Sequence, residues 1–411
     1  MAEVSERRSL ETLARQLSDT VKGYDDPSGN TGLYTRKKII NIAKEIIETV
    51  KEPQETPFEY GVKMAEMGVL RQFMEMHVFD KIPDEGSISY KALAEMIGAE
   101  ESLITRMAWM LVATGMLKQV GEDRVAHSRF SKTYLSSNPQ GKWFQIVFDA
   151  GMVSYCHWPE YFRAYGYKEC VNDTHTPHSC AWRQPEKNFW EVISQDPQRF
   201  ADFNASMETL DEVLPVMGMF DFSWIMQNAG RVADGTALMV DVGGGKGQAL
   251  RQILRKHREI PASRLVLQDR PAVIEQVIQA DEPELRGVEK MAHDFFEEQP
   301  VKGALIYYLR RIMHDWSDEK CRKILSNLVE AMGPHSRIFI TEQIYLNPPT
   351  ELPAQMDLIM LSLGGKERTK QDWYALTARV GLHLVKFWET SGTEVAVIEC
   401  EKAAEGKGAM L

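Results

Sequence analysis

The stretch "VDVGGGKGQAL", residues 240 to 250, decides how the rest of the chain is read. An apolar strand, "ALMVDVG", runs into glycines at 243, 244, 245 and 247 and then into the helix "GQALRQILRKH". A Walker A loop needs Ser or Thr after its Gly-Lys pair, and here Lys246 is followed by Gly247. A dinucleotide fingerprint needs a third glycine where Gln248 stands. What is left is G-x-G-x-G after a strand that ends at Asp241, with Gly243 and Gly245 able to let a ligand approach the backbone closely. The glycines alone fit a plain structural turn equally well.

The flanking chain repeats the strand–helix unit. "SRLVLQD", "EKMAHD", "GALIYYLR" and "SRIFITEQI" read as strands. "SDEKCRKILSNLVEAMG" reads as a helix, with Ser317 as N-cap, Asp318 and Glu319 in the first turn and Gly333-Pro334 as the stop. Such alternation predicts an α/β fold with a parallel, Rossmann-like sheet, and ligands in an open sheet bind beyond the carboxyl ends of the strands. "LHLVKFWET" and "EVAVIECEK", joined by "SGT", predict a closing hairpin that brings the sheet to seven strands and adds an antiparallel one at the edge. The tail "EKAAEGKGAML" reads as a frayed end.

The strand ends carry chemistry. Asp269, beside Arg270, can accept both hydroxyls of a ribose, and Asp294 and Phe295 in "AHDFF" offer an adenine a polar edge and a face. No phosphate cradle is present. A nucleoside without phosphates, held at strand ends, fits S-adenosylmethionine.

In "RRIMHDWSDEKC", residues 310 to 321, His314 falls just past the strand "GALIYYLR". A metal site would need further ligands, and only Asp315 is near in sequence. A packing role is the ordinary fate of a lone histidine. A base needs an orienting carboxylate, and Glu342 at the end of "RIFITE" supplies one from the neighbouring strand. Held so, with a pKa near neutrality, His314 suits removal of a proton from a phenol or enol.

Upstream, helical period places Ile39, Ile40, Ile42, Ala43, Ile46, Ile47 and Val50 on one broad stripe. Residues 87 to 128 then read as a winged helix-turn-helix, with a turn at Gly98. Its second helix, "ESLITRMAWMLVATGM", has only Arg106 as a basic residue, too little for phosphate contacts. Its apolar surface suits pairing with a second subunit instead. Residues 137 to 226 are rich in aromatics and methionine. Most of these belong to a core, but Phe148, Met152 and, with Met313 and Met360, a few others are candidates to line a pocket for a flat apolar ligand. His157 is either a second polar group there or an ordinary core or surface histidine.

The 411 residues, 44% hydrophobic and 26% charged, are those of a globular protein of two or three domains: 1–136, 137–226 and 227–405. A net charge of −11 disfavours nucleic acid or an anionic membrane as partner. The five cysteines have no zinc spacing, the N-terminus has no apolar h-region, and no apolar run spans a bilayer. These features point to the cytoplasm.

With these pieces together the sequence resembles the plant- and fungal-type small-molecule O-methyltransferases that use S-adenosylmethionine. "VDVGGGKG", "LQDRPAVI", the block from "HDFFEEQ" to "MHDWSDEKC", "IFITEQ" and "GGKERT" carry the resemblance, which covers nearly the whole chain. It implies a methyltransferase sheet preceded by a winged-helix domain through which two subunits pair. It further implies His314 as catalytic base flanked by Glu342 and Glu367. Asp241, Gly243, Gly245, Asp269, Arg270, Asp294, Phe295, Arg310 and Trp316 would hold the cofactor, and Phe203 and Met207 would line the substrate pocket. Arg310 stands where plant members carry lysine, and "MLSLGGKERT" is shorter than the plant version. The expected reaction is metal-independent methyl transfer to a phenolic or enolic hydroxyl of an aromatic or polyketide-like metabolite. The alternative is a related fungal activity that keeps the cofactor but catalyses a dehydration or pericyclic step. A winged-helix DNA-binding regulator is the third, disfavoured by charge.

Overall fold

The computed structural model describes residues 2–24, 30–209, 215–390 and 393–403. The chain divides into two compact units, Met1–Ser128 and Arg129–Leu411. The division falls short of the expected boundary after residue 136, and 137–226 belongs to the second unit. Local packing explains the shift. The 3₁₀ turn Ser131–Tyr134 sits on the helix Pro139–Ile146, with Tyr134 meeting Phe144 edge-on at 5.6 Å. A Cβ at Gly141 would lie 2.6 Å from the Thr133 carbonyl, so only glycine allows that approach.

The first unit has helices Ala2–Lys22, Asn30–Val50 and Thr56–Glu75 ahead of the winged helix. In the winged helix, β1 (Ile88–Ser89), β2 (Leu117–Val120) and β3 (Arg124–His127) form a sheet in the order β1-β3-β2. The Ser89 hydroxyl accepts from the Ala92 amide and starts the helix Tyr90–Ile97; Gly98, at φ 68°, ends it. Phe73, Leu93, Ile104 and Leu111 fill the core. The expected isoleucine stripe is only partly used within this unit. Ile42 is buried, whereas Ile40, Ile47 and Val50 are exposed, as are Phe58 (78%) and Tyr60. Exposed large apolar residues are informative where they fall together, since such patches mark interaction faces.

The second unit is built on a sheet of seven strands: β4 (Met239–Val242), β5 (Leu265–Asp269), β6 (Glu289–Ala292), β7 (Ile306–Arg310), β8 (Arg337–Gln343), β9 (Leu382–Glu389) and β10 (Val395–Lys402). Their order is β6-β5-β4-β7-β8-β10-β9. β4 to β8 run parallel, and β10 is antiparallel to both β8 and β9. The closing hairpin therefore inserts its antiparallel strand one place in from the edge and leaves β9 outside. Alternation along the strands feeds two cores. Met239, Ile306, Tyr308, Phe339 and Val397 enter one; Val240, Tyr307, Leu309, Ile338 and Ile398 enter the other. A parallel sheet covered on both faces needs such near-continuous apolar strands. Glu401 and Lys402 of the expected frayed tail complete β10, and the tail from residue 404 lies outside the described residues.

The helix Pro139–Ile146 passes through a π turn, Val147–Met152, into the helix Val153–Tyr165. A π turn adds one residue to a helical turn and rotates the faces that follow it.

Candidate active site

A cavity of about 580 Å³ opens at the carboxyl ends of β4 to β8 and is lined entirely by the second unit. At one end lies the glycine turn. Gly243 and Gly245 hold φ of 69° and 57°, and a Cβ on Gly244 would collide with the Asp241 carboxylate and Leu267. The backbone alone therefore forms this wall. The Asp269 carboxylate is fixed at both oxygens, accepting from the Gly245 amide (2.8 Å) and the Arg270 amide (2.7 Å). One lone pair on each oxygen is left for a diol. Asp294 accepts from the Phe296 amide at 2.9 Å. Phe295, Phe296 and Trp316 meet edge to face, with Phe296 and Trp316 centroids 4.8 Å apart.

Asp241 is 1% exposed, and its Oδ2 has no hydrogen-bond partner although the residue lines the cavity. Burial pushes its carboxyl up to about 7; the Arg310 guanidinium opposes this and Asp269 reinforces it. An orphaned buried acceptor calls for a donor from the ligand. S-adenosylmethionine, with its ammonium, ribose diol and flat base, matches the orphaned acceptor, Asp269 and the aromatic wall, so the residues present fit it. All nine expected cofactor residues, Asp241, Gly243, Gly245, Asp269, Arg270, Asp294, Phe295, Arg310 and Trp316, line this cavity.

At the other end stands His314, on a 3₁₀ turn, Met313–Asp315. Arg311 precedes it in the left-handed region (φ 56°), a conformation that costs a non-glycine residue about 1 kcal/mol or more and turns the chain sharply off β7. The pairing of Arg310 with Thr341 in β7 and β8 brings Glu342 under this turn. Glu342 Oε1 accepts from the Ile312 and Met313 amides at 3.0 and 2.9 Å. The orienting partner of the ring is Glu367, not Glu342: His314 Nδ1 lies 2.8 Å from Glu367 Oε1 and 3.8 Å from Glu342 Oε2. Gly365 makes this possible, because a Cβ there would overlap the His314 carbonyl.

The expected near-neutral pKa is not what this surrounding produces. Burial works against the imidazolium, but the carboxylates of Glu342, Glu367 and Asp315 outweigh it and push His314 up to about 10. Asp315 Oδ1 lies 3.5 Å from Nε2. Burial raises Glu342 and Asp315 as well, so the protons of this group are shared among several sites.

Of the expected pocket residues, Phe203, Met207 and Met360 line the cavity. Phe148, Met152, His157 and Met313 do not. Trp143, Ile146, Val147 and Ala150 form the face of this segment that lines the cavity, while Phe148, on another face, packs against Phe144. His157 is exposed, with Nδ1 2.8 Å from the Val153 carbonyl. Met313 lies fully buried in a sheet core. Sequence reasoning also missed Phe189 and Trp190, which line the cavity. Their signal was present: Asn188 and Glu191 form a capping box that begins a helix at this aromatic pair.

Residues 168–383 match the O-methyltransferase domain family, and residues 63–137 match the O-methyltransferase dimerisation domain. The chain is 39% identical over 404 residues to methyltransferase cfoD of Aspergillus candidus, covering 96% of this chain and 99% of that protein. It is 38% identical over 351 residues to methyltransferase pvhD of Talaromyces variabilis, covering 84% and 96%. Among solved structures, OxaC in complex with sinefungin and meleagrin superposes with a TM-score of 0.85 at 25% identity, covering 96% of this chain and 99% of that one. LepI in complex with SAM shares the fold, with a TM-score of 0.77 at 24% identity over 96% and 99% of the two chains. These matches over nearly the whole length show that the chain belongs to the S-adenosylmethionine-dependent O-methyltransferase family.

Proposed function

We propose that this enzyme methylates a phenolic or enolic hydroxyl of a small aromatic or polyketide-like secondary metabolite, without a metal ion, and that His314 is the general base. The observation that carries this reading is that His314, backed by Glu367 at 2.8 Å, lines the same cavity as the glycine turn and Asp269.

The ring tautomer follows from the hydrogen bond. Nδ1–H donates to Glu367, which leaves Nε2 to accept the hydroxyl proton. Glu342 holds the turn through two amides and keeps the ring at a fixed height above the sheet. Trp143, Phe203 and Met360 supply an apolar wall that excludes water and seats a flat acceptor. Bound in the cradle, S-adenosylmethionine supplies an electrophilic sulfonium methyl and a positive charge that disfavours a second cation on the imidazole. Alignment and one proton transfer are then the chain's own contributions.

Two subunits pair through the first unit, a reading supported by the match to a dimerisation domain and by the exposed Ile40, Ile47, Phe58 and Tyr60. The five cysteines are free, which suits a reducing cytoplasm, and no described helix is long and apolar enough to cross a membrane.

The test is incubation with methyl-labelled S-adenosylmethionine and a panel of phenols and enolic polyketides, with S-adenosylhomocysteine and the methylated atom read by mass spectrometry. His314→Ala should lower kcat by about 10²–10⁴-fold, the usual span for a general base, while the protein still binds cofactor. Label found on nitrogen, or an acceptor that rearranges while the cofactor returns intact, overturns the reading.

A further inference from the structure

We infer that Arg368 is the positioning residue that holds His314 and Glu367 in register, a role it exerts from outside the cavity. The inference rests on the reading of His314 as base. The guanidinium is 1% exposed and stands among groups from three separate segments. It donates to the Met313 carbonyl (2.8 Å) and the Trp316 carbonyl (2.9 Å), which lie on either side of His314 in sequence. It donates to the Lys366 carbonyl (3.2 Å), next to Glu367 in the chain. Two further donors reach one oxygen of Asp318, at 2.9 and 2.8 Å, in the first turn of the helix Asp318–Ala331. Its own backbone pairs with Ile344, two residues past Glu342, and its carbonyl accepts from the Tyr345 amide at 3.0 Å. One residue therefore ties together the segments that carry His314, Glu342 and Glu367.

The planar five-donor fork is needed here, because a lysine ammonium has three donors around a point and cannot span carbonyls on opposite sides of a turn. The Lys366 amide adds a return contact to the His314 carbonyl at 2.8 Å, so the two loops are laced from both directions. Arg368 also places a fixed positive charge in a group otherwise dominated by carboxylates. Burial works against that charge; the carboxylates of Asp318 and Glu342 sustain it. His314 in turn faces Glu342, Glu367 and Asp315, and Asp315 is faced by Arg311. Removing the guanidinium takes away a cation and leaves the carboxylates, which strengthens the imidazolium.

Arg368→Lys, Arg368→Gln and Asp318→Asn separate alignment from charge. The measurements are the ¹⁵N titration of His314 and its Nδ1–H proton signal in cofactor-free protein, with kcat and KM on an accepted substrate. Arg368→Lys, which keeps the charge, should leave the His314 titration near wild type, weaken the Nδ1–H signal and lower kcat on the order of tenfold to a hundredfold, with cofactor KM little changed. Arg368→Gln should move the titration to higher pH. Asp318→Asn should give a smaller loss of the same kind, and its carboxylate is half-exposed (47%), so it tests the idea even if the buried substitutions fail to fold. An unchanged His314 signal and titration in a folded variant, with any loss of activity matched by loss of cofactor-binding protein, overturns the inference. The NMR readouts need no turnover. Absence of methyl transfer by the wild type would instead overturn the assignment of function.

Discussion

The two ends of the cavity are built by different parts of the polymer. The cofactor end is framed by backbone: a glycine turn, and carboxylates pinned by amides, at the tips of β4, β5 and β6, with Phe295 and Trp316 as an aromatic wall. The acceptor end is side chains: Trp143 and Ala150 around a π turn, Trp190 after a capping box, Phe203 and Met360 from other helices. The first is set by strand order, which cannot slip without turning every side chain to the other face. The second depends on the rotation of individual helices, which one inserted residue alters. A family can therefore keep its cofactor while its acceptors diverge.

The largest way to break this comparison is to place a side chain on the glycine turn, at a position that has none. Gly244→Val must displace the Asp241 carboxylate and Leu267, an overpacking of about 1–3 kcal/mol, and should weaken S-adenosylhomocysteine binding in calorimetry about tenfold or more. Should the acceptor's KM change more than the cofactor's affinity, the division between the ends is wrong. Next in size is Glu367→Gln, which keeps an acceptor for Nδ1–H but removes its charge. It should lower kcat about tenfold, in line with a hydrogen bond to a charged group, and leave cofactor binding intact.

A subtler measurement sharpens the link between the ends. With its folded pKa pushed up from 6.5 to about 10, His314 in cofactor-free protein should stay protonated through neutral pH and lose its proton only as pH climbs toward 10 in ¹⁵N NMR. The stability this group contributes is fully present below 6.5 and fades as pH rises through about 10. Cationic S-adenosylmethionine should lower that pKa, and neutral S-adenosylhomocysteine should lower it less. Equal shifts from both would deny the coupling. The smallest effects lie at the acceptor end alone. Ala150→Phe should raise the acceptor's KM with cofactor affinity unmoved, whereas Met152→Ala and His157→Ala, away from the cavity, should change neither.

The order in which the site became legible follows the same division. Asp241, Asp269 and His314 could be read because each sits at or just past the end of an apolar strand, and strands of a parallel sheet present their carboxyl ends on one edge. Phe148, Met152 and His157 are suggested by residue type alone, and composition does not say which face of a helix meets the cavity; Trp143, Ile146, Val147 and Ala150 do so instead. From neighbouring strands alone Glu342 reads as the carboxylate that orients the ring, and the family resemblance adds Glu367 beside it. The bond in fact goes to Glu367, 53 residues away along the chain from His314.

From the sequence alone came the α/β alternation, the glycine turn that excludes a phosphate cradle, and the set of residues gathered at the sheet edge. These follow from local periodicity and from what each residue type can do. Tertiary structure alone decided that β10 lies inside β9, that Glu367 rather than Glu342 holds the imidazole, and that three neighbouring carboxylates lift its pKa. Those outcomes depend on distances between segments remote in sequence, and on burial that sharpens every charge within a few ångströms, neither of which is written in any one stretch of the chain.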